Sequence, residues 1–377
     1  MIGTILKLML TRGTSIKRWN NFPRIEYISH LDNVGFVIHI ALFLAQIEEK
    51  EKNVSIDKEF IIKRILFHSL IVLVLSDINA GTKDYIKTIN PLIFSKVEKK
   101  ALEKILELEG NESIKNDILS TLKEKEKILE VEIIEAARKY SGLLECSVNH
   151  KIFSEVYEVP MNQINASLEK IKKKVKSLDI LLKNENYKKY LFNIKRLSHI
   201  TRWNGKVKFL PISVMSHLVI VCFISYVIAH IEADNNNPLS SLDLMLRGLY
   251  HDIPEAITGD IIAPTKRSVK GFSEILEEVE KNMLDDYLFS YIEKDYKKFI
   301  APYLFHPFEG EIGKIVKYAD ILSALFEAKI EILSGNIREF EDISVHMHKK
   351  LVSTKLAGID YLVNNALIEF SEKHKFD

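Results

Sequence analysis

Tyr250-His251-Asp252-Ile253-Pro254-Glu255-Ala256-Ile257-Thr258-Gly259-Asp260-Ile261 is the stretch on which the reading of this chain turns. His251 and Asp252 are adjacent, and Glu255 follows Asp252 by three positions. Residues i and i+3 share a helix face, so Glu255 can point where Asp252 points. Imidazole nitrogens beside carboxylates suit a borderline divalent ion that keeps positions open for water. Two further residues of this chemistry lie elsewhere: His217 on an apolar segment, and Asp320 inside the apolar run 316–326. A buried, unpaired carboxylate is costly, so Asp320 needs a partner, and a metal is one. Each residue alone has a plainer reading. A His-Asp pair arises by chance, a single His in an apolar helix is commonly a satisfied core residue, and a single Asp there is often a cap or half of an ion pair.

Outward from this stretch, the chain repeats itself. Leu249-Tyr250-His251-Asp252 matches Leu66-Phe67-His68-Ser69, at an offset of 183. Ile200-Thr201-Arg202-Trp203 matches Ile16-Lys17-Arg18-Trp19 at an offset of 184, and these hold the only two tryptophans. Asp77 and Asp260 each follow their His by nine positions, and Thr82-Lys83 and Thr265-Lys266 close the two stretches. Ordered matches at a near-constant offset are the mark of a duplicated domain. The expected boundaries are 1–185 and 186–377, with the polar stretch 184–189 as the junction, and each half is long enough to bury its own core.

Helical periodicity runs through 33–46, 59–75, 95–108, 114–143, 161–182, 211–233, 238–251, 272–292 and 310–333. With 14 Gly and 9 Pro in 377 residues, a turn-rich β-sandwich or barrel is excluded and an all-α protein is expected. The charge is balanced, 53 basic against 52 acidic residues, which leaves no global field to hold a nucleic acid polymer or an anionic membrane. The lysines at 170, 172, 173, 174 and 176 read as a solvated helix face. The segment 209–231 is long and apolar enough to span a membrane, but its His217 and His230 favour a helix buried in a globular core. Cys146 and Cys222 form neither a disulfide framework nor a C-x-x-C pair, so a reduced, cytoplasmic setting is expected.

The ordered string Arg202-Trp203, His217, His251-Asp252-x-x-Glu255, Thr258-Gly259-Asp260-Ile261, Pro264-x-Lys266 and Val316-Lys317-Tyr318-Ala319-Asp320 resembles the HD-domain metal-dependent phosphohydrolases. Within them it is similar to the bacterial 5′-deoxynucleotidases of the YfbR type, over residues 197–336. The resemblance implies two tandem HD-domain helical bundles packed as an intramolecular pseudo-dimer, with further homo-oligomerisation open. It implies that His217, His251, Asp252 and Asp320 ligate one divalent transition metal (Mn, Co, Ni, Fe or Zn), and that Glu255 is the general acid or base. It further implies that Arg202 and Lys266 contact the phosphate of a small nucleotide substrate, that Trp203 packs beside a 2′-deoxyribose, and that Asp260 accepts from a sugar hydroxyl. One departure from the family pattern is Ser216, where an acidic residue usually precedes the first ligand His.

The first copy lacks most of this set. Asn33 stands at the position of His217, Ser69 at that of Asp252 and Val72 at that of Glu255, while His68 is kept. Aligning Lys139-Tyr140 with Lys317-Tyr318 puts Gly142 opposite Asp320. A structural pseudo-domain is the favoured reading of this copy, with an anion site built on Arg18, His68 and Lys83 as the other. The expected activity is hydrolysis of deoxynucleoside 5′-monophosphates. Hydrolysis of another phosphorylated nucleotide and a nucleotide-sensing scaffold with little turnover are the alternatives.

Overall fold

The computed structural model describes residues 2–76, 78–108, 110–261, 265 and 268–372. The regular elements among them are helices, and the only β pairing is two isolated bridges, Lys17 with Ser29 and Thr201 with Ser213. The first half contains α1 (Ile2–Leu8), α2 (His30–Lys52), α3 (Lys58–Leu75), α4 (Ala80–Ile89), α5 (Pro91–Leu108), α6 (Glu112–Lys123), α7 (Ile128–His150), α8 (Ser154–Ile171) and α9 (Lys176–Lys183). The second contains α10 (Glu185–Lys195), α11 (Val214–Asp234), α12 (Ser241–Tyr250), α13 (Glu255–Thr258), α14 (Phe272–Tyr287), α15 (Lys294–Phe305), α16 (Gly310–Leu333), α17 (Ile337–Val352), α18 (Ala357–Tyr361) and α19 (Leu367–Ser371).

The same local chemistry starts matching helices in the two halves. Ser29 caps α2 by accepting from Asp32 N at 3.1 Å, and Ser213 caps α11 by accepting from Ser216 N at 2.9 Å. Asp57 and Ser240 cap α3 and α12 in the same way. Each cap satisfies an otherwise orphaned backbone donor. Helices α2 and α11 are apolar on all sides, and a helix of that kind belongs inside a fold. Both are long and apolar enough to cross a membrane by length and composition, yet both lie largely buried and pack against each other at the centre of the protein. Their approach is close at Gly35, where a Cβ would sit 2.7 Å from Met215 Sδ and 2.8 Å from Val219 Cγ2.

The two halves hold each other reciprocally. Helix α1 packs on α19, with Gly3 N donating to Glu369 Oε2 at 3.1 Å, while α10 packs on α9 and α2. Asp117 of the first half lies against His230 Nε2 (3.3 Å) and Tyr226 Oη (2.9 Å) of the second.

Two long helices expected from periodicity are broken. The stretch 114–143 divides at 124–127, where four charged residues offer no apolar contact and Lys127 turns to Asp57 at 3.1 Å. The stretch 161–182 divides in the lysine run, where Glu48 accepts from Lys176 N and Ser177 N and so caps the start of α9. Those lysines face solvent but pair locally, Lys172 with Glu169, Lys174 with Glu132 and Lys176 with Glu51. The junction stretch is helical from Glu185 onward, with Asn184 capping α10.

Candidate metal centre

Three helix segments bring the four expected ligands together. His217 lies one turn into α11, below the Ser213 cap, and is fully buried. His251 and Asp252 follow directly on α12, and Asp320 lies in the middle of α16. Ligand atoms of His217, His251 and Asp252 all lie within 4.8 Å of one another. Asp252 Oδ2 is 3.3 Å from His251 Nε2 and 3.7 Å from His217 Nε2. Asp320 Oδ1 is 3.2 Å from His217 Nε2 and 3.9 Å from His251 Nε2.

The hydrogen bonds behind the imidazoles decide what they present to this point. His217 Nδ1 bonds Glu327 Oε1 at 2.9 Å and Ser323 Oγ at 3.0 Å, and His251 Nδ1 bonds the Gly248 carbonyl at 3.0 Å. With the proton held on Nδ1, each Nε2 offers a lone pair. Both Nε2 atoms are buried and make no hydrogen bond of good geometry among the described residues. Two orphaned imidazole nitrogens facing two carboxylates fit a divalent metal, and the mixed nitrogen and oxygen set suits a borderline transition ion.

Glu327 is the functional residue that the sequence reading missed. It is buried, and one carboxylate serves three partners: His217 Nδ1, Trp203 Nε1 at 2.8 Å and Arg202 Nε at 3.2 Å. Burial opposes its ionisation, but the Arg202 guanidinium and the His217 hydrogen bond outweigh it and hold the carboxyl down at about 2. Arg202 is in turn held firmly charged: burial works against its charge, and Glu327, Asp252, Asp320 and Glu255 overcome it. Its Nη1 reaches to 3.6 Å from Asp252 Oδ2, so a fixed cation stands at the rim of the ligand cluster. Trp203 is locked at positive φ (58°), a conformation that strains an aromatic residue, with its ring edge-on to Phe340. It forms a rigid wall beside Arg202.

Glu255 opens α13, its backbone N donating to the Asp252 carbonyl at 3.1 Å, and acts on the Arg202 charge. Asp260 acts electrostatically on Lys208, a second residue not singled out from sequence. Lys208 donates to the Arg202 carbonyl, and burial lowers its pKa, with Arg202 adding to the effect and Glu327, Glu331 and Asp260 opposing it. Lys266 and Asp77 lie outside the described residues.

Ser216 has a different partner from the expected family pattern. Its hydroxyl donates to Asp32 Oδ1 of the first half at 2.6 Å, while His217 takes its support from Glu327 and Ser323.

The first half repeats this framework. Arg18 Nε and Trp19 Nε1 both reach Glu145 at 2.9 Å, Trp19 has φ 54°, and Ser141 Oγ donates to Asn33 at 2.8 Å. Glu145 therefore matches Glu327 and Ser141 matches Ser323, a register of 182. That register corrects the sequence alignment: Arg138, not Gly142, occupies the position of Asp320. The Lys-Tyr dipeptide misplaced it by four residues, one helical turn, and kept the face while losing the residue.

A family model described as 5′-deoxynucleotidase YfbR-like matches the chain twice in tandem, over residues 6–184 and 189–370. A 5′-deoxynucleotidase of Vibrio parahaemolyticus is 25% identical over 177 residues, 46% of this chain and 90% of that protein. One from Photobacterium profundum is 26% identical over 187 residues, 48% of this chain and 94% of that protein. Among solved structures, an HD-domain phosphohydrolase from Listeria innocua is 26% identical at a TM-score of 0.45, covering 49% of this chain and 90% of that one. With both halves matched, the chain belongs to the YfbR-like 5′-deoxynucleotidase family, a metal-dependent phosphohydrolase with the family unit in tandem.

Proposed function

We propose that this hydrolase is a 5′-deoxynucleotidase, cleaving deoxynucleoside 5′-monophosphates to deoxynucleoside and phosphate. In this reading residues 186–377 are the catalytic copy and residues 1–185 a degenerate copy that completes an intramolecular pseudo-dimer. The carrying observation is the convergence of His217, His251, Asp252 and Asp320, with both imidazoles pinned through Nδ1 and the Arg202 guanidinium at the rim.

His217, His251, Asp252 and Asp320 would hold the metal, which when bound acidifies water and stabilises phosphoryl charge. Arg202, oriented by Glu327 through Nε, keeps its Nη atoms for phosphate oxygens, where a planar cation binds with directional hydrogen bonds. Glu255, on the turn after the ligand pair, would exchange a proton with the attacking water or the leaving 5′-oxygen. Trp203 cannot swing away, because its Nε1 is tied to Glu327 and its ring abuts Phe340. A sugar packed on that wall would leave a 2′-hydroxyl without a partner, which favours the deoxy form.

The test is phosphate release from matched ribo- and deoxynucleoside monophosphates, with and without added Mn²⁺ or Co²⁺. Deoxy substrates are expected to exceed ribo substrates, and Asp252→Ala and Glu255→Gln to abolish release. Equal turnover of both sugars would overturn the specificity. No metal-dependent release from any nucleotide would favour a sensing scaffold.

A further inference from the structure

The degenerate half has lost its carboxylates but kept the surrounding frame, and the charge within that frame is inverted. In the second half Asp252, Asp320 and Glu255 surround two imidazoles. In the first, Ser69, Arg138 and Val72 stand at those three places, so acidic groups are replaced by a hydroxyl, a guanidinium and an apolar side chain. The rest of the frame is intact: Arg18 and Trp19 on Glu145, and Asn33 on Ser141.

Four cationic or imidazole side chains lie within electrostatic reach of His68 there: Arg138, Lys83, Arg64 and His30. His30, the first residue of α2, adds Arg18 to the group and bonds the backbone of Ser69, which places it in the same cluster. Its Nε2 is shielded from solvent and has no hydrogen-bond partner among the described residues. Burial first, and then these cations, hold both imidazoles down at about 3, so neither adds a positive charge at neutral pH. Arg138 makes no ion pair or hydrogen bond among the described residues. The carboxylate that acts on it, Glu135, is 3.8 Å from Lys139. Arg138 is half-buried; desolvating a guanidinium without a counter-ion is unfavourable, and gathering further cations around it makes it more so. A neutral imidazole donates through one nitrogen only; His30 spends that proton on the Ser69 backbone, so His68 is the imidazole that can donate to an anion's acceptor oxygens.

We infer that the first half is an anion site which binds a phosphate dianion, free or as the phosphomonoester end of a nucleotide, without metal and without hydrolysing it. Arg138 and Lys83 supply the charge, His68 supplies a hydrogen bond, and Arg18 closes the rim as Arg202 does in the other copy. No hydrolysis follows, because the metal ligands are reduced to His68 and Val72 replaces the acid-base carboxylate.

The inference is independent of turnover by the second half and is tested without it. The full chain, stripped of metal with chelator and exchanged into chelator-free buffer, is titrated calorimetrically with inorganic phosphate and, separately, with a deoxynucleoside 5′-monophosphate. One saturable phosphate site is expected. It should weaken at least tenfold in Arg138→Ala, survive in Arg138→Lys and be unchanged in Asp252→Ala. Should Arg138→Ala fail to fold, Lys83→Ala, on a partly exposed helix, decides through the same tenfold loss. Nucleotide binding tenfold tighter than phosphate identifies a nucleotide as the ligand, and equal affinities identify free phosphate. No saturable binding, or binding that survives both first-half changes and disappears in Arg202→Ala, would overturn the proposal.

Discussion

Asp32 of the first half and Ser216 of the second occupy equivalent positions in the repeat, 184 residues apart, and hydrogen-bond to each other across the interface at 2.6 Å. The same carboxylate oxygen also takes the Ser213 hydroxyl, and the other accepts from Ser29 N at 2.9 Å. One buried carboxylate thus closes the capping box of α2 and anchors the start of α11, one residue before His217. Asp32→Ala leaves these donors shielded from water without an acceptor, at about 1–3 kcal/mol for each group left unsatisfied. Chemical denaturation should show a loss of at least about 3 kcal/mol, with Asp32→Asn losing less because it keeps one acceptor. Unchanged stability in Asp32→Ala would mean the contact contributes nothing net.

Glu327 links Arg202 and Trp203 to His217 through a single side chain. Glu327→Gln keeps the shape, removes the charge that holds Arg202, and offers an amide to His217 Nδ1. Loss of such a support behind a ligand histidine weakens metal binding about 10–100-fold. Metal titration should show that weakening. Phosphate release at saturating metal should remain depressed as well, because Arg202 also loses its anchor. Full recovery at high metal would restrict the role of Glu327 to His217.

That His217, His251, Asp252 and Asp320 come together was legible through the family resemblance, whose ordered motifs mark His and Asp residues far apart in the sequence. Glu327 was not, because a glutamate on an amphipathic helix carries no such mark. Only the equivalence of Glu145 and Glu327, each opposite an Arg-Trp pair, could have revealed it. Arg138 was missed for a related reason: a Lys-Tyr dipeptide is a weak register mark, and a helix tolerates a slip of four residues with little change in its pattern. The breaks at 124–127 and after Ile171 escaped periodicity because the apolar spacing resumes on the far side; tertiary partners, Asp57 and Glu48, set them.

Gly35 marks the closest approach of the two central helices. A methyl group there would meet Met215 Sδ at 2.7 Å and Val219 Cγ2 at 2.8 Å. Methionine can yield, but the β-branched Val219 is confined to few rotamers. Overpacking of this kind costs about 1–3 kcal/mol. Gly35→Ala should lower the unfolding free energy within that range, and adding Val219→Ala should recover part of the loss. Strict additivity of the two changes would show that they do not share this contact.

Asp117 supplies a pH dependence away from the metal centre. It joins the halves through Tyr226 and His230 and pairs with Lys63 at 2.7 Å. Burial raises its pKa, but hydrogen bonds from His230, Lys63 and Tyr226 prevail and hold it down at about 2, against 3.8 unperturbed. A carboxyl depressed in the folded state contributes its full stability above the unfolded value and loses it as pH falls through the folded one. The contribution is therefore complete above about pH 4 and gone below about pH 2, and its size is about 2 kcal/mol. Other depressed carboxyls, Glu26 and Glu327 among them, lose stability in the same range, so the informative quantity is the difference from Asp117→Asn. That difference, measured by denaturant unfolding at stepped pH, should be constant from pH 7 to 5 and shrink by about 2 kcal/mol towards pH 2. A difference that stays the same down to pH 2 would show that Asp117 does not ionise more readily in the folded chain than in the unfolded one.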